Sequence, residues 1–332
     1  MPQPFPVQNS TLSADALAEL LRREYALHST PVCTFWRKGM ADAYRIKAGE
    51  QFLFLKVFMA SRRSRHDVEE EVRLLLHLAR GGVSVSAPVA STTGKHVLSL
   101  SAPEGERYVV VYEGVQGVEG TTDQHRRELG RMVARVHQCA DSLAPPYDRD
   151  YYELEELLDA NLTAIGAIMA HRPDDYAIIV RIAEFVKDVV SRTLPQRTPE
   201  HGVCHGDLHG GDALYSPDGS PTLFDFDSSG LGWRALDIAT FEGTSDWMDI
   251  SAEADIRRQH EVAQLLEGYT SVRELSSGEL EVMKLGSAVR HISLMGLVLR
   301  YWSNHNGWHW ADDGFIDWHM TWFRHWVATH AK

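Results

Sequence analysis

The segment from Cys204 to Phe241, CHGDLHGGDALYSPDGSPTLFDFDSSGLGWRALDIATF, holds Asp207, Asp212 and Asp225 at a spacing that a short hairpin would fold into one metal site. Ala213 to Tyr215 and Thr222 to Phe224 are short apolar runs of strand type. The Ser-Pro-Asp-Gly-Ser-Pro between them is turn chemistry, because Pro217 pre-sets φ and Gly219 supplies a positive one. Antiparallel pairing of the two runs brings Asp212, just before the first, beside Asp225, at the end of the second. Asp207 lies one loop upstream, flanked by Gly206, Gly210 and Gly211. Three carboxylates facing one cavity stay ionised at low cost only with a cation, and hard oxygen ligands with room for phosphate oxygens suit Mg²⁺. Phosphoryl transfer also needs a group that orients the acceptor hydroxyl, a role for Asp207 while Asp225 and Asp212 hold metal. A lone aspartate beside glycine is normally a solvated turn residue. HGD, an oxygen ligand five positions on and DFD after a hairpin argue for a site when they occur together.

The segment resembles the catalytic core of the aminoglycoside phosphotransferase and choline kinase group, with its HGDxxxxN loop and following DFG-like triplet. Leu265 to Trp302 is similar to the C-terminal helices of its bacterial stress-response and homoserine-kinase-like members. The resemblance spans nearly the whole chain. It implies an α+β, bilobal protein-kinase-like fold: a small N-terminal lobe with an antiparallel sheet and one helix, residues 1–113, and a larger, mainly helical lobe, residues 114–332. It implies ATP as cofactor with Mg²⁺, Asp207 as catalytic base, His205 as support of its loop, Asp225 as principal metal ligand and Asp237 as a brace from the following helix. The sequence departs from the pattern at one position, where Asp212 stands for the family's Asn. An aspartate can still ligate metal and should hold it more strongly, but it adds repulsion toward an approaching γ-phosphate.

The N-terminal third carries the nucleotide side. Phe35 to Lys47, Gly49 and Phe52 to Phe58 read as strand, turn, strand, with Gly39 and Ala41 letting backbone cover phosphates. Lys56 sits amid FLFL and VF, where neighbouring strand residues bury, and such a cation needs an anionic partner. Asp67 to Arg80 has helical period, with Val68, Val72, Leu75 and Leu78 on one face and Gly81-Gly82 as its stop. Glu71 is the candidate partner of Lys56, while Glu69 and Glu70 read as solvated. The bland alternative for Lys56 is an edge-strand lysine that discourages aggregation. Val83 to Val89, Val97 to Leu100 and Arg107 to Tyr112 are further strand candidates. After them the resemblance places a hinge at Glu113 to Gly117, where Glu113 and Val115 would read adenine through main-chain groups.

Beyond the hinge the chain reads as helical at Asp123 to Ser142, Tyr152 to Met169 and Tyr176 to Thr193. Six of the nine tryptophans fall between Tyr301 and His330. Trp318, Trp322 and Trp326 repeat every four residues, which predicts one buried helix face. Trp308 and Trp310 stand instead in a polar loop with Asp312 and Asp313, and Trp308 with those carboxylates is a candidate surface for an ammonium or amino-alcohol acceptor. The seventeen histidines show no zinc-ligand spacing.

A chain of 332 residues, 44% hydrophobic and 24% charged, supports two globular lobes. The net charge of −13 argues against nucleic acid and anionic membrane as partners. Cys33, Cys139 and Cys204 form neither a disulfide framework nor a zinc motif. With no secretory signal or spanning segment evident, a cytoplasmic location is expected. The favoured function is phosphotransfer from ATP to a small-molecule hydroxyl, such as an amino alcohol, hydroxy amino acid or aminoglycoside-like compound. The alternatives are a Ser/Thr protein kinase with a protein substrate, although Phe226 to Asp237 is short for an activation segment, and a nucleotide-binding pseudokinase, which Asp212 favours.

Overall fold

The first hundred residues form an antiparallel sheet because β-branched and aromatic residues alternate there with polar ones. The computed structural model describes residues 5–60, 62–149, 151–243, 248–302 and 311–330. The chain divides into two compact units, Met1–Gln116 and Gly117–Lys332.

In the first unit α1 (Ala14–Glu24) precedes β1 (Val32–Lys38), β2 (Ala41–Ala48), β3 (Gln51–Phe58), α2 (Arg65–Arg80), β4 (Val97–Ala102) and β5 (Gly105–Glu113). The five strands run in the order β1-β2-β3-β5-β4, antiparallel throughout. Leu53, Leu55 and Val57 of β3 join Tyr44, Ile46, Val109, Val111 and the α1 residues Leu17 and Leu21 in one buried cluster. Lys56 has the opposite parity on β3, so it points to the other side of the sheet.

That core encloses an ion pair. Arg107 and Asp42, 1% and 2% exposed, meet at 3.1 Å, and the guanidinium also donates to the carbonyls of Phe58, Val57 and Ser10. The many bonds explain how the charge tolerates burial.

The second unit runs β6 (Val118–Glu119), α3 (Asp123–Ala140), α4 (Ala160–Ile168), α5 (Pro173–Thr193), β7 (His201–Cys204), β8 (Ala213–Tyr215), β9 (Pro221–Leu223), β10 (Gly230–Trp233), α6 (Arg234–Ala239), α7 (Ala252–Thr270), α8 (Ser277–Met283), α9 (Gly286–Leu297) and α10 (Asp313–His330). β7 pairs with β10, and β8 pairs with both β6 and β9. α3 and α7 cross at two glycines: a Cβ on Gly130 would lie 1.9 Å from the Leu265 carbonyl, and one on Gly268 1.9 Å from that of Arg127. Only glycine permits this approach. Among the described residues no single helix is long and apolar enough to cross a membrane.

Several expectations change in detail. Asp67 lies inside α2, because Ser64 is the N-cap and exchanges hydrogen bonds with Asp67 in a capping box. Val83 to Val89 forms an irregular segment on β5, with Val89 N–H on the Val111 carbonyl and Ala87 accepting from Glu113. Pro88 faces Tyr112 there and has no N–H to extend a ladder. Helix after Tyr152 begins at Glu155, with a π-turn over Glu155–Asp159 before α4. Trp322 and Trp326 are buried, but Trp318 is 47% exposed. Steps of four residues drift about 40° each around a helix, so the two steps from Trp318 to Trp326 already outrun a narrow buried stripe.

Arg107→Leu would leave Asp42 buried without its counter-ion, and urea unfolding should show a loss of about 3–5 kcal/mol. An unchanged midpoint would mean that the pair contributes nothing to the first unit.

Candidate active site

The loop after β7 is held from behind by one buried carboxylate. Asp237, on α6 and fully buried, accepts the backbone N–H of His205 (2.8 Å) on Oδ2 and that of Gly206 (2.9 Å) on Oδ1. His137 of α3 adds a third bond, its Nε2 lying 3.0 Å from Oδ2, while its Nδ1 meets the Tyr269 hydroxyl at 2.8 Å. The carboxylate needs a donor, so Nε2 carries the proton and Nδ1 accepts from Tyr269. Burial drives the His137 pKa down to about 4, outweighing its bond to Asp237, and the ring is neutral at pH 7. Burial opposes ionisation of Asp237, yet the bonds from His137 and the Gly206 N–H hold it below the usual carboxylate range.

Gly206 must be glycine on two grounds. Its φ is +86°, and a Cβ would fall 2.0 Å from the Ser228 carbonyl, so the loop lies directly on the turn that follows β9. That turn starts at Asp225, which has φ 67° and is the one positive-φ residue other than glycine among the described residues. Backbone held in this region is costly and persists where its surroundings impose it. His205 ties the two segments together, its ring Nε2 lying 3.1 Å from the Phe224 carbonyl. Buried Arg149 completes the clamp, donating to the Asp227 carbonyl at 2.6 Å and to Ser229 Oγ at 3.1 Å.

Asp212 and Asp225 come together by register. Ala213 pairs with Leu223, and the Phe224 N–H donates to the Asp212 carbonyl at 3.0 Å. Asp212 is buried and Asp225 exposed. His209 Nε2 is 3.3 Å from Asp212 Oδ1, and the charges of Asp207 and Asp225 also act on the ring. Its Nδ1 accepts the Gly211 N–H at 2.9 Å, and burial lowers its pKa, so the ring adds no counter-charge at neutral pH. Asp207 has a partner that the sequence did not announce: Arg290 of α9, whose Nη1 lies 2.5 Å from Asp207 Oδ1. Carboxylate oxygens are hard ligands of the kind that a divalent cation such as Mg²⁺ takes.

In the first unit, Lys56 and Glu71 meet the same ring. The Tyr112 hydroxyl donates to Glu71 Oε1 at 2.9 Å, and Lys56 Nζ lies 6.0 Å from the centroid of that ring. Glu71 is 1% exposed; Glu70 instead bonds Arg73 at 2.6 Å, and exposed Glu69 bonds Arg65 at 2.8 Å. Gly39 occupies the β1–β2 turn with an ordinary φ, and a Cβ there would meet nothing closer than the Ala41 carbonyl at 3.6 Å. Folding therefore does not require glycine at this place. Glu113 spends its N–H on Ala87 and accepts the Ser86 hydroxyl on its carbonyl, whereas Val115 lies in the irregular chain beyond β5.

The proposed aromatic acceptor surface is resolved differently. Asp312 accepts the Phe315 N–H at 3.0 Å at the start of α10, and Asp313 is engaged by His171 (2.8 Å) and Arg172 (3.4 Å). Its bond to His171 holds the Asp313 carboxyl below the usual range. Trp308 lies outside the described residues. Sequence reasoning missed Arg290, Arg149 and Tyr112. For Arg290 a signal existed in a single cation amid the apolar run GSAVRHISLMGL; the other two are visible only through their partners.

An antiparallel N-terminal sheet followed by a largely helical remainder, with an HGD loop braced by a buried aspartate, defines a phosphotransferase of kinase-like fold. The chain belongs to the phosphotransferase enzyme family known as APH, whose model matches residues 34–275. An uncharacterized protein of Synechocystis sp. is 31% identical over 82% of this chain and 74% of its own length. The amicoumacin kinase of Bacillus subtilis is 27% identical over 78% of each chain. Among solved structures, amicoumacin kinase hAmiN in complex with AMP-PNP, Ca²⁺ and its ligand Ami superposes with a TM-score of 0.76 at 21% identity, covering 94% of this chain and 93% of that one.

His137, and His319 of α10, which burial likewise lowers to about 4, start from an ordinary value of 6.5. Below pH 6.5 the unfolded chain takes up protons that the folded one refuses, so stability is present above 6.5 and is lost as pH falls toward 4. Urea unfolding at pH 7.5 and pH 5 should differ by about 2 kcal/mol per histidine. Equal stability at the two values would mean that these rings are not held neutral by the fold.

Proposed function

We propose that this chain transfers the γ-phosphate of ATP to a hydroxyl group of a small molecule with the help of Mg²⁺. The observation that supports the reading is the convergence of Asp212 and Asp225 at the ends of the β8–β9 hairpin, beside the loop that carries Asp207 and whose backbone is fixed by Asp237. In the second unit Asp225 and Asp212 hold the cation, and Asp207 accepts the hydrogen bond of the acceptor hydroxyl and later its proton. The cation, when bound, neutralises charge on the phosphate oxygens. His205 keeps the loop in place through its ring bond to Phe224 and takes no part in proton transfer. In the first unit Lys56, set beside Tyr112 and Glu71, contacts phosphate. Gly39 keeps its turn bare for the same group, and the main chain at Val115 is the place to read an adenine edge.

A protein acceptor fits less well. The residues between Phe226 and Asp237 are used up by a 3₁₀ turn, by β10 in its ladder with β7 and by the start of α6, which leaves no free segment to hold a peptide. The pseudokinase reading rests on Asp212 alone. An anion there still ligates metal, so we expect turnover.

Purified protein with Mg²⁺ and γ-labelled ATP should label one or more members of a panel of amino alcohols, hydroxy amino acids and aminoglycosides. Asp207→Asn should lower transfer by at least about 100-fold. Lys56→Met should act mainly through KM for ATP, and Asp212→Asn should change the Mg²⁺ concentration at half-maximal rate. Nucleotide binding without transfer to any panel member would favour the pseudokinase, and label on a protein substrate alone would favour the protein kinase.

A further inference from the structure

A groove of about 430 Å³ runs between α5 and α10, and none of the aspartates of the candidate active site lines it. Helical spacing builds its walls. On α5, Ile178, Arg181, Ile182 and Phe185 recur at three and four residues and make one stripe, which Arg324, Trp326 and His330 of α10 face. Phe185 meets Trp326 edge-on with ring centroids 6.4 Å apart, and His330 stacks flat on Trp326 at 4.5 Å. No other helix covers the stripe, since Phe185 stays 43% exposed. Five of the eight lining residues are apolar, three are arginine or histidine and none is acidic, so in a chain of net charge −13 this groove is a local exception. The two guanidiniums differ. Arg324 is already paired with Asp175, whereas Arg181 is exposed and makes no ion pair or side-chain hydrogen bond among the described residues. A guanidinium with its whole donor fork unused, beside an apolar floor, complements an anion that carries an apolar body.

We propose that this groove is a binding site for a small amphiphilic anion, an unbranched medium-chain carboxylate whose tail lies along the α5 stripe and whose head pairs with Arg181. Length supports this class of ligand: Ile178 and Phe185 are seven residues apart on one helix, about 10 Å, which an extended chain of about eight to ten carbons spans. Volume and composition agree, because small-ligand sites hold a few hundred Å³ or more and are mostly apolar with a few placed polar groups. The tail supplies affinity by covering Ile178, Ile182 and Phe185, and the head supplies selectivity through Arg181. A cationic amphiphile of the same length gains the floor but meets Arg181 as a like charge. Binding there involves no phosphoryl transfer and is independent of the reaction proposed above.

Isothermal titration calorimetry on the full chain, with decanoate kept below its micelle concentration, should show one saturable site. Decylammonium and decanol should bind at least about 10-fold more weakly, a comparison made on wild-type protein alone. Arg181→Gln should weaken decanoate about 10-fold and leave decanol unchanged, and Phe185→Asp should remove the binding of both. Both side chains are exposed, and circular dichroism checks that each variant keeps its helices. No saturable binding of decanoate would overturn the proposal. Equal binding of decanoate and decylammonium would do so as well, by showing an apolar face without charge selection, and decanoate binding unchanged in Phe185→Asp would place the site elsewhere. Sedimentation velocity adds one further outcome: a dimer that Phe185→Asp turns into a monomer, and that decanoate leaves intact, would assign the groove to a second copy of the chain instead.

Discussion

The second unit is organised around the burial of one carboxylate. Asp237 lies with no solvent contact, and such an anion is tolerated only where donors surround it. It finds them in the backbone of His205 and Gly206 and in the ring of His137, which is itself held by Tyr269. Two donors come from the loop after β7 and the third from α3, whose His137 is itself held by Tyr269 of α7. A single charge on α6 therefore ties the loop after β7 to α3 and, through His137, to α7. The chain passing through His205 and Gly206 then leads directly to Asp207.

From that anchor the rest of the site follows by contact. Gly206 allows the loop to rest on the turn after β9, His205 bonds the end of β9, and Arg149 holds the far side of the turn. Asp225 takes its strained backbone from this frame. The aspartates of the two segments are thus carried on backbone tied together by bonds that do not involve their carboxylates. The ion pair of Asp207 with Arg290 is the exception, since it uses a carboxylate of the site itself.

The hairpin that carries Asp212 and Asp225 was legible because its signals are local. A turn-forming hexapeptide dictates the β8–β9 hairpin, and the hairpin dictates that Asp212 and Asp225 converge. Lys56 was legible for a related reason, as a cation among residues that bury; its parity on β3 sends it away from the α1 core. Glu71 was set apart from Glu69 and Glu70 by its place on the apolar face of α2; in the structure it bonds Tyr112, while Glu70, expected to be solvated, is buried against Arg73, its own side of the helix being covered too. What the sequence concealed depends on distance along the chain. Arg290 and Asp207 are 83 residues apart, and Arg149 and Asp227 are 78 apart, and neither pair has a local pattern. Trp318 misled because a period of four imitates a helix face for one step and has drifted off it after two.

The claim most exposed to test is that Asp237 serves phosphoryl transfer by fixing the loop that carries Asp207. Asp237→Asn keeps shape and volume but turns one acceptor oxygen into a donor, which must face a backbone N–H or the His137 ring. Steady-state transfer of γ-phosphate by this variant, with folding checked by circular dichroism, should show kcat lowered by at least about 100-fold and KM for ATP changed by less than about threefold. A folded Asp237→Asn protein with kcat close to wild type would contradict the account, because the loop would then hold its place without the carboxylate.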